Sequence, residues 1–273
     1  MSDPYTLPDG NVQISFSGGR TSAFMLHRIL EVNGDLPERV QVTFANTGRE
    51  MPETLDFVHE CQTRWGVPVT WLEYKRKGKN NSYQVVSHNS ASREGEPFEQ
   101  LLAAKRYLPN AVARFCTADL KIRPMKKHLL SLGWERWSAC VGIRADEPTR
   151  VKYDSKDRWS YWYPLADAGV TKADITAFWD AQPFDLRLFN ARGSTPKGNC
   201  DMCFLKSEAT LAAIAKEHPE RAQWWIEMEK RTGSTFRKDR NLESWVDFVQ
   251  RQEDWVFNEV GYFCQADDGE CTG

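Results

Sequence analysis

Residues 12–22, Val-Gln-Ile-Ser-Phe-Ser-Gly-Gly-Arg-Thr-Ser, constrain the fold more than any other stretch of the chain. The apolar run Val12 to Phe16 reads as a buried strand. Ser17-Gly18-Gly19 breaks it, and from Ser22 a helical pattern sets in, with Phe24, Met25, Ile29 and Leu30 on one side. Strand, glycine turn and helix start together aim several backbone N–H groups at one point. Those donors stand at the positive end of a helix and suit an anion, above all a phosphate. Gly18 and Gly19 allow close approach of the backbone and positive φ. The alternative is an ordinary strand–helix turn, in which paired glycines are common. The spacing matches neither Gly-x-x-x-x-Gly-Lys-Ser/Thr nor Gly-x-Gly-x-x-Gly.

The pattern repeats downstream. After a helix over 22–33, Gly34 and Pro37 mark the exit. Strands are expected over 40–46 and 67–74, with a helix from Pro52 to Trp65 between them. Short links between alternating strands and helices predict an α/β fold, a parallel sheet wrapped by helices. Ligands of such sheets sit at the carboxyl ends of the strands, which places Ser17–Ser22 and Asn46-Thr47-Gly48 on one rim. Residues 75–96 read as a polar loop or lid. The basic run Lys75 to Lys79 within it is a solvated charge run or an electrostatic guide for a phosphate-rich substrate. Short helices are expected over 97–105 and 123–132, a fourth strand over 137–143, and a helix capped by Thr171 with Asp174 three residues on. Beyond residue 182 the chain turns helical, over 207–216, 220–231 and 241–251. The expected division is a nucleotide-type α/β part, 1–182, and a helical, cysteine-containing part, 183–273.

At 273 residues the chain can bury a sizeable core, and a formal charge of −2 gives no global basic field for nucleic acid. A mean hydropathy of −0.60 and the lack of an apolar run of spanning length predict a soluble protein with no membrane partner. Met1-Ser2-Asp3-Pro4 lacks a basic then apolar pattern, so the expected compartment is cytoplasmic. In that setting seven cysteines favour metal or redox roles over a disulfide framework. The eleven tryptophans are assigned to core or interfaces and given no chemistry. Cys61, inside a helix, and Cys140, inside a strand, read as core thiols. Cys200-Asp201-Met202-Cys203 is the strongest metal signal, because two thiolates three apart can face one ion. It supplies half of a four-ligand site, which Cys116 and Cys264 could complete. On residue types alone an iron–sulfur cluster and a Cys₄ zinc site are level, and a dithiol redox pair is a third option.

Ser17-Gly18-Gly19-Arg20-Thr21-Ser22 resembles the PP-loop, Ser-Gly-Gly-x-Asp-Ser, of the adenine nucleotide α-hydrolase superfamily, with Thr21 in place of Asp. Phe44-Ala45-Asn46-Thr47-Gly48 with Pro52-Glu53-Thr54 resembles the Asp-Thr-Gly…Pro-Glu-Thr segment of PAPS reductases, with Asn46 in place of Asp. Cys116 with Lys121-Ile122-Arg123-Pro124, Gly142-Ile143-Arg144 with Glu147 and Arg150, and Pro164-Leu165-Ala166-Asp167 resemble later segments of that family, in family order. The resemblance implies that Ser17, Gly18, Gly19, Arg20, Thr21 and Ser22 hold phosphate and that Thr47 and Gly48 line the nucleotide pocket. It also implies that Lys121, Arg144 and Arg150 neutralise phosphate or sulfate oxygens, with Ser17, Lys121 and Arg144 acting in catalysis.

The implied substrate is ATP or a sulfonucleotide (PAPS or APS), with Mg²⁺ a candidate companion ion. The implied cofactor is a [4Fe–4S] cluster, zinc being the alternative, on Cys116, Cys200, Cys203 and Cys264. Glu270-Cys271 matches two residues of the PAPS reductase ending whose Cys attacks the sulfonate sulfur. Cys271 is therefore a candidate catalytic residue or fourth ligand, the alternative being a frayed terminus. The implied reactions are sulfonucleotide reduction with a thioredoxin-type reductant, or ATP-dependent sulfur transfer fed by a donor such as a cysteine desulfurase to an acceptor that could be nucleic acid. Two rival readings keep the fold: a nucleotide-binding module without turnover, suggested by the residues at 20, 21 and 46, and a protein whose cysteines hold structural zinc.

Overall fold

A computed structural model describes residues 3–153, 155–191, 193–235 and 241–251. Six strands, β1 (Val12–Ser15), β2 (Val40–Asn46), β3 (Val69–Lys77), β4 (Asn80–Val86), β5 (Trp137–Cys140) and β6 (Trp159–Trp162), form one sheet in the order β4-β3-β2-β1-β5-β6. All neighbours are parallel except β3 and β4. The helices are α1 (Arg20–Asn33), α2 (Pro52–Arg64), α3 (Glu96–Lys105), α4 (Arg123–Ser131), α5 (Pro164–Asp167), α6 (Lys172–Asp180), α7 (Glu208–Glu217), α8 (Pro219–Thr232) and α9 (Leu242–Arg251). This is the expected α/β architecture of a mostly parallel sheet flanked by helices. No helix among the described residues is long and apolar enough to cross a membrane.

Three elements differ from the sequence reading. The polar stretch after residue 74 is no loop up to Val86. β3 runs on to Lys77 and turns into β4 through Gly78-Lys79, with Lys77 paired to Asn80. A two-residue hairpin turn needs positive φ at its first central position when that position is glycine, and Gly78 sits at φ +61°. Alternation was hidden because β4 is half-exposed and polar on both faces. The short strand β6 was likewise masked by the charged residues before it. The helix from Arg123 is preceded by a π-helical turn, Thr117–Ile122, closed by Arg123 N–H donating to the Ala118 carbonyl.

The sheet owes its place to one apolar cluster. Val12, Ile14 and Phe16 from the β1 region pack with Met25, Leu26 and Ile29 of α1, and with Leu55, Phe57 and Val58 of α2. Each such side chain, fully buried, contributes roughly 1.5–3 kcal/mol. Cys61 and Cys140 are completely buried, as expected of core thiols, and burial pushes both thiols well above their ordinary pKa. A second cluster joins Phe98, Leu101 and Leu102 of α3 to Leu211, Ile214, Trp225, Trp245 and Val249 of α7, α8 and α9. Phe184, Leu186 and Leu188 return to the sheet cluster, so the chain beyond residue 182 shares both clusters with the part before it.

Candidate functional site

The strand order reverses at β1, with β2 on one side and β5 on the other. In open parallel sheets this reversal opens a crevice beyond the strand ends, where ligands bind. β1 delivers Ser17-Gly18-Gly19 to that crevice and β5 leads into Val141 to Arg144. The loop is braced by its own hydroxyls: Ser17 N–H donates to Ser22 Oγ at 3.2 Å, and Ser22 Oγ donates to the Gly19 carbonyl at 3.0 Å. Gly18 has φ +84°, and a Cβ there would stand 2.8 Å from Thr54 Cγ2. Backbone shape and the approach of α2 therefore both demand glycine at this position.

Arg144 is 3 % exposed. Its Nη1 donates to Thr21 Oγ1 at 3.3 Å and its Nε to Asp146 Oδ1 at 2.9 Å, so it spans from β5 to the first turn of α1. Arg20 turns elsewhere: its Nε donates to Asp185 Oδ1 at 2.6 Å and its Nη2 to the second oxygen of that carboxylate and to the Leu186 carbonyl. The expected cation of the loop is thus partly neutralised by a residue 165 positions away. A pocket above the loop is lined by Ser17 to Thr21, by Thr54 of α2, and by Gly193, Thr195, Gly198 and Asn199.

The other predicted residues do not line this pocket. Thr47 is buried at the end of β2, and its N–H and Oγ1 both donate to Glu50 Oε2, at 2.9 and 2.8 Å. Gly48 N–H donates to Asn46 Oδ1 at 3.0 Å. Asn46 Nδ2 in turn donates to the fully buried Glu73, Oε1, at 2.7 Å, and to the Ser92 carbonyl at 2.8 Å. An aspartate at 46 would set two carboxylates against each other, so the amide is what Glu73 permits. Lys121 belongs to the π-helical turn, which packs on β2 and β3. Arg150 ends a short 3₁₀ turn and pairs with Glu147, which also faces Arg144 at 3.6 Å.

The cysteine turn is docked against β2. Glu50 and Cys200 form an antiparallel bridge, Asp201 N–H donates to the Arg49 carbonyl at 2.8 Å, and Thr47 Oγ1 lies 3.3 Å from Cys200 Sγ. Asp201, between the cysteines, is completely buried. Its carboxylate pairs with Arg49 and, at 3.0 Å, with Arg221, and accepts the Trp225 indole N–H at 2.8 Å. Arg49 also lies 4.6 Å from the Trp224 ring. Lys206, 2 % exposed, donates from Nζ to the carbonyls of Pro196 (2.6 Å) and Gly198 (2.5 Å). Sequence reading missed Asp201, Arg49, Thr54, Asn199 and Lys206. No local signal links Arg49 to Asp201 across 152 residues.

Cys203 is buried and Cys116 and Cys200 are half-buried, these two bordering the second apolar cluster. Among the described residues no three His, Cys, Asp or Glu side chains are grouped to hold a metal, and the predicted Cys264 and Cys271 lie outside them. Cysteine sulfur is a soft donor of the kind that iron–sulfur and zinc sites use, but these side chains are not gathered around one point among the described residues.

A glycine loop between a strand and a helix, at the strand-order reversal of a mostly parallel sheet, stands where α/β proteins of this class bind their ligands. The family model for the phosphoadenosine phosphosulfate reductase domain matches residues 11–165, and the chain belongs to that family. The nin region protein ORF290 of Escherichia phage lambda is 34 % identical over 212 residues, covering 75 % of this chain and 69 % of that protein. Among solved structures, a PAPS reductase from Candida auris in a phosphate complex has a TM-score of 0.45 at 17 % identity, covering 68 % of this chain and 83 % of its own. The U34-tRNA thiolase NcsA from Methanococcus maripaludis, with its [4Fe–4S] cluster, has a TM-score of 0.40 at 11 % identity, covering 93 % and 76 %. The family match ends before the cysteine turn begins.

Proposed function

We propose that this protein is an enzyme that binds an adenine nucleotide at the phosphate loop and carries out sulfur chemistry beside it. One observation carries the reading: Asn199, next to the Cys200–Cys203 turn, lines the pocket above the loop after β1, and Cys200 Sγ lies 3.3 Å from Thr47 Oγ1 just beyond β2. Loop N–H groups and the Ser17 hydroxyl hold the phosphate chain, Ser22 braces the loop that presents them, and Arg144 offsets the charge from the β5 side. Thr47 and Gly48 form the rim toward the nucleoside. Lys121, in the turn packed on β2 and β3, and Arg150, paired with Glu147, are the further cations assigned to the substrate.

Two chemistries fit. With ATP, an acceptor oxygen attacks the α-phosphate, pyrophosphate leaves, and sulfur then displaces AMP. With PAPS or APS, a thiolate (Cys271 is the candidate) attacks the sulfonate sulfur, the nucleotide leaves, and a dithiol reductant releases sulfite. A [4Fe–4S] cluster on Cys116, Cys200, Cys203 and either Cys264 or Cys271 would supply a site that holds or relays sulfur, whereas zinc on the same residues would only join the chain segments.

The test sets pyrophosphate release from ATP beside sulfite release from PAPS, on anaerobically purified protein assayed for iron, zinc and acid-labile sulfide. Pyrophosphate with sulfide-bearing iron selects the transfer arm, and sulfite selects the reductase arm. Nucleotide binding with no turnover of either kind leaves the non-catalytic module, a reading that the Arg20–Asp185 pair favours. No nucleotide binding at all rejects the proposal.

A further inference from the structure

The sheet end opposite the phosphate loop carries a local charge of the sign opposite to that of the whole chain. Arg136 directly precedes β5 and Arg158 directly precedes β6, and the two strands run parallel, so both residues stand where these strands begin. With Lys126 of α4, Glu135, Lys156 and Asp157 they line a cleft of about 420 Å³. Four cations thus meet two acids there, on a chain whose formal charge is −2. Lys126 pairs with Asp157, whereas Arg136, Lys156 and Arg158 form no ion pair with a described residue, and all three are exposed. Cations gathered without counter-charges repel one another, and an anionic partner relieves that repulsion.

A line of aromatic rings starts at the same place. Residues two apart on a strand share a face, which puts Trp159, Tyr161 and Tyr163 on one side of β6 and its exit. Trp159 stacks on Trp137 (centroids 5.5 Å apart, planes at 27°) and has the Lys126 ammonium 5.4 Å from its ring. Tyr161 follows at 6.4 Å and stacks on Tyr163 at 5.7 Å and 17°, and Tyr153 meets Tyr163 edge-on at 5.5 Å. Trp159 and Tyr161 are only half-buried and Tyr153 is 60 % exposed, so the rings are not closed into a core. β6 is the last strand of the sheet, and no described strand covers its outer edge. From Trp159 to Tyr163 the line is about 13 Å long. It ends where Tyr163 Oη donates to the Lys152 carbonyl at 3.0 Å, two residues past Arg150 and its partner Glu147.

We propose that the cleft and the rings along β6 form a platform for a single-stranded nucleic acid, with phosphates held by Arg136, Lys156 and Arg158 and bases stacked along Trp159, Tyr161 and Tyr153. Cations beside a row of flat rings suit a chain that alternates phosphate with base, and an acidic peptide offers no such faces. A duplex keeps its bases stacked on each other and away from the rings. The platform stands without the nucleotide reading above. One further step rests on that reading: because the rings lead toward Arg150, the bound strand is the acceptor of the sulfur chemistry.

The experiment measures fluorescence anisotropy of labelled oligothymidylate and oligouridylate of about 12 nucleotides, within the span of such sites, on the full chain. A duplex of equal length and vesicles containing phosphatidylserine are run beside them, and ATP and PAPS are titrated separately. The variants are Arg136→Gln/Lys156→Gln/Arg158→Gln together, Tyr161→Leu, and Tyr153→Ala, the last on an exposed ring in case Tyr161→Leu fails to fold. The triple variant is expected to weaken single strands more than tenfold and to reduce the slope of log affinity against log salt by about 2, at ~0.7 for each of three phosphates. Each ring variant is expected to weaken them roughly tenfold with the salt slope unchanged, the mark of stacking in place of charge. Wild-type protein that binds no single strand, or variants that bind as wild type does, overturn the platform. Duplex or vesicles bound as tightly as single strands, with the ring variants at wild-type affinity, also overturn it in favour of a general polyanion surface. ATP or PAPS binding without oligonucleotide binding overturns the platform and leaves the nucleotide reading standing. Oligonucleotide binding that the variants weaken, in a protein that binds neither ATP nor PAPS, keeps the platform and overturns the nucleotide reading.

Discussion

The phosphate loop and the cysteine turn meet at one crevice but are built in opposite ways. The loop is local: glycines at 18 and 19, two serine hydroxyls and a helix start shape it within six residues. The cysteine turn is held from afar, by Arg49 from the end of β2, Arg221 and Trp225 from α8, and Lys206 from its own exit. A loop made of backbone survives surface substitution, whereas a turn latched by one buried carboxylate fails when that carboxylate goes.

Asp201→Ala is therefore the hardest blow. It leaves two arginines buried against each other, a loss of about 3–5 kcal/mol for a broken buried ion pair. Urea unfolding should show it, and Asp201→Asn should recover only part. Wild-type stability in Asp201→Ala would place the latch elsewhere. Gly18→Ala breaks the other half. The strained φ and the contact with Thr54 cost about 1–3 kcal/mol, and phosphate binding should fall by more than tenfold while the cysteine turn, anchored through Asp201, keeps its packing.

Asn46→Asp sharpens the comparison, since it restores the family's residue at the rim. Set against Glu73, the new carboxylate should cost about 1–3 kcal/mol at neutral pH. The folded pair binds a proton more readily than the unfolded chain, so this deficit should shrink as pH falls toward 5. A deficit independent of pH would mean the two carboxylates do not interact. The smallest effect is general to the fold. Burial lowers the pKa of His27 and His128 below the ordinary 6.5. Below that pH the unfolded chain binds more protons than the folded one, so stability should decline as pH falls from 6.5. His128→Gln should make the decline shallower, and an identical slope would assign the acid sensitivity to other groups.

How much of this could be read from the sequence follows the same division. The strand, the glycine turn and α1 obey periods of two and 3.6 with a break between them, and β2 and α2 repeat the pattern, so they were legible. Thr171 and Asp174 announced the start of α6. The β3–β4 hairpin was missed because a sheet edge with polar residues on both faces carries no alternation. Cys-x-x-Cys stood out, but nothing in Cys200-Asp201 tells that the first residue meets Thr47 and the second anchors the turn. Both facts depend on partners more than 100 positions away, Thr47 for Cys200 and Arg49 for Asp201.

The π-helical turn before α4 has a consequence for the remaining cysteine. A π turn is an α-helix carrying one surplus residue, and each α-helical residue rotates the chain by about 100°. Cys116 stands just before the surplus and α4 just after it. Five residues of the wide turn cover about the same rotation as four of an α-helix, so the surplus residue is absorbed and Cys116 stays on the apolar cluster it borders while α4 keeps its footing on the sheet. Deleting one residue between Thr117 and Ile122 should therefore leave Cys116 facing the same cluster, whereas inserting one without a second bulge would turn it away by about 100°.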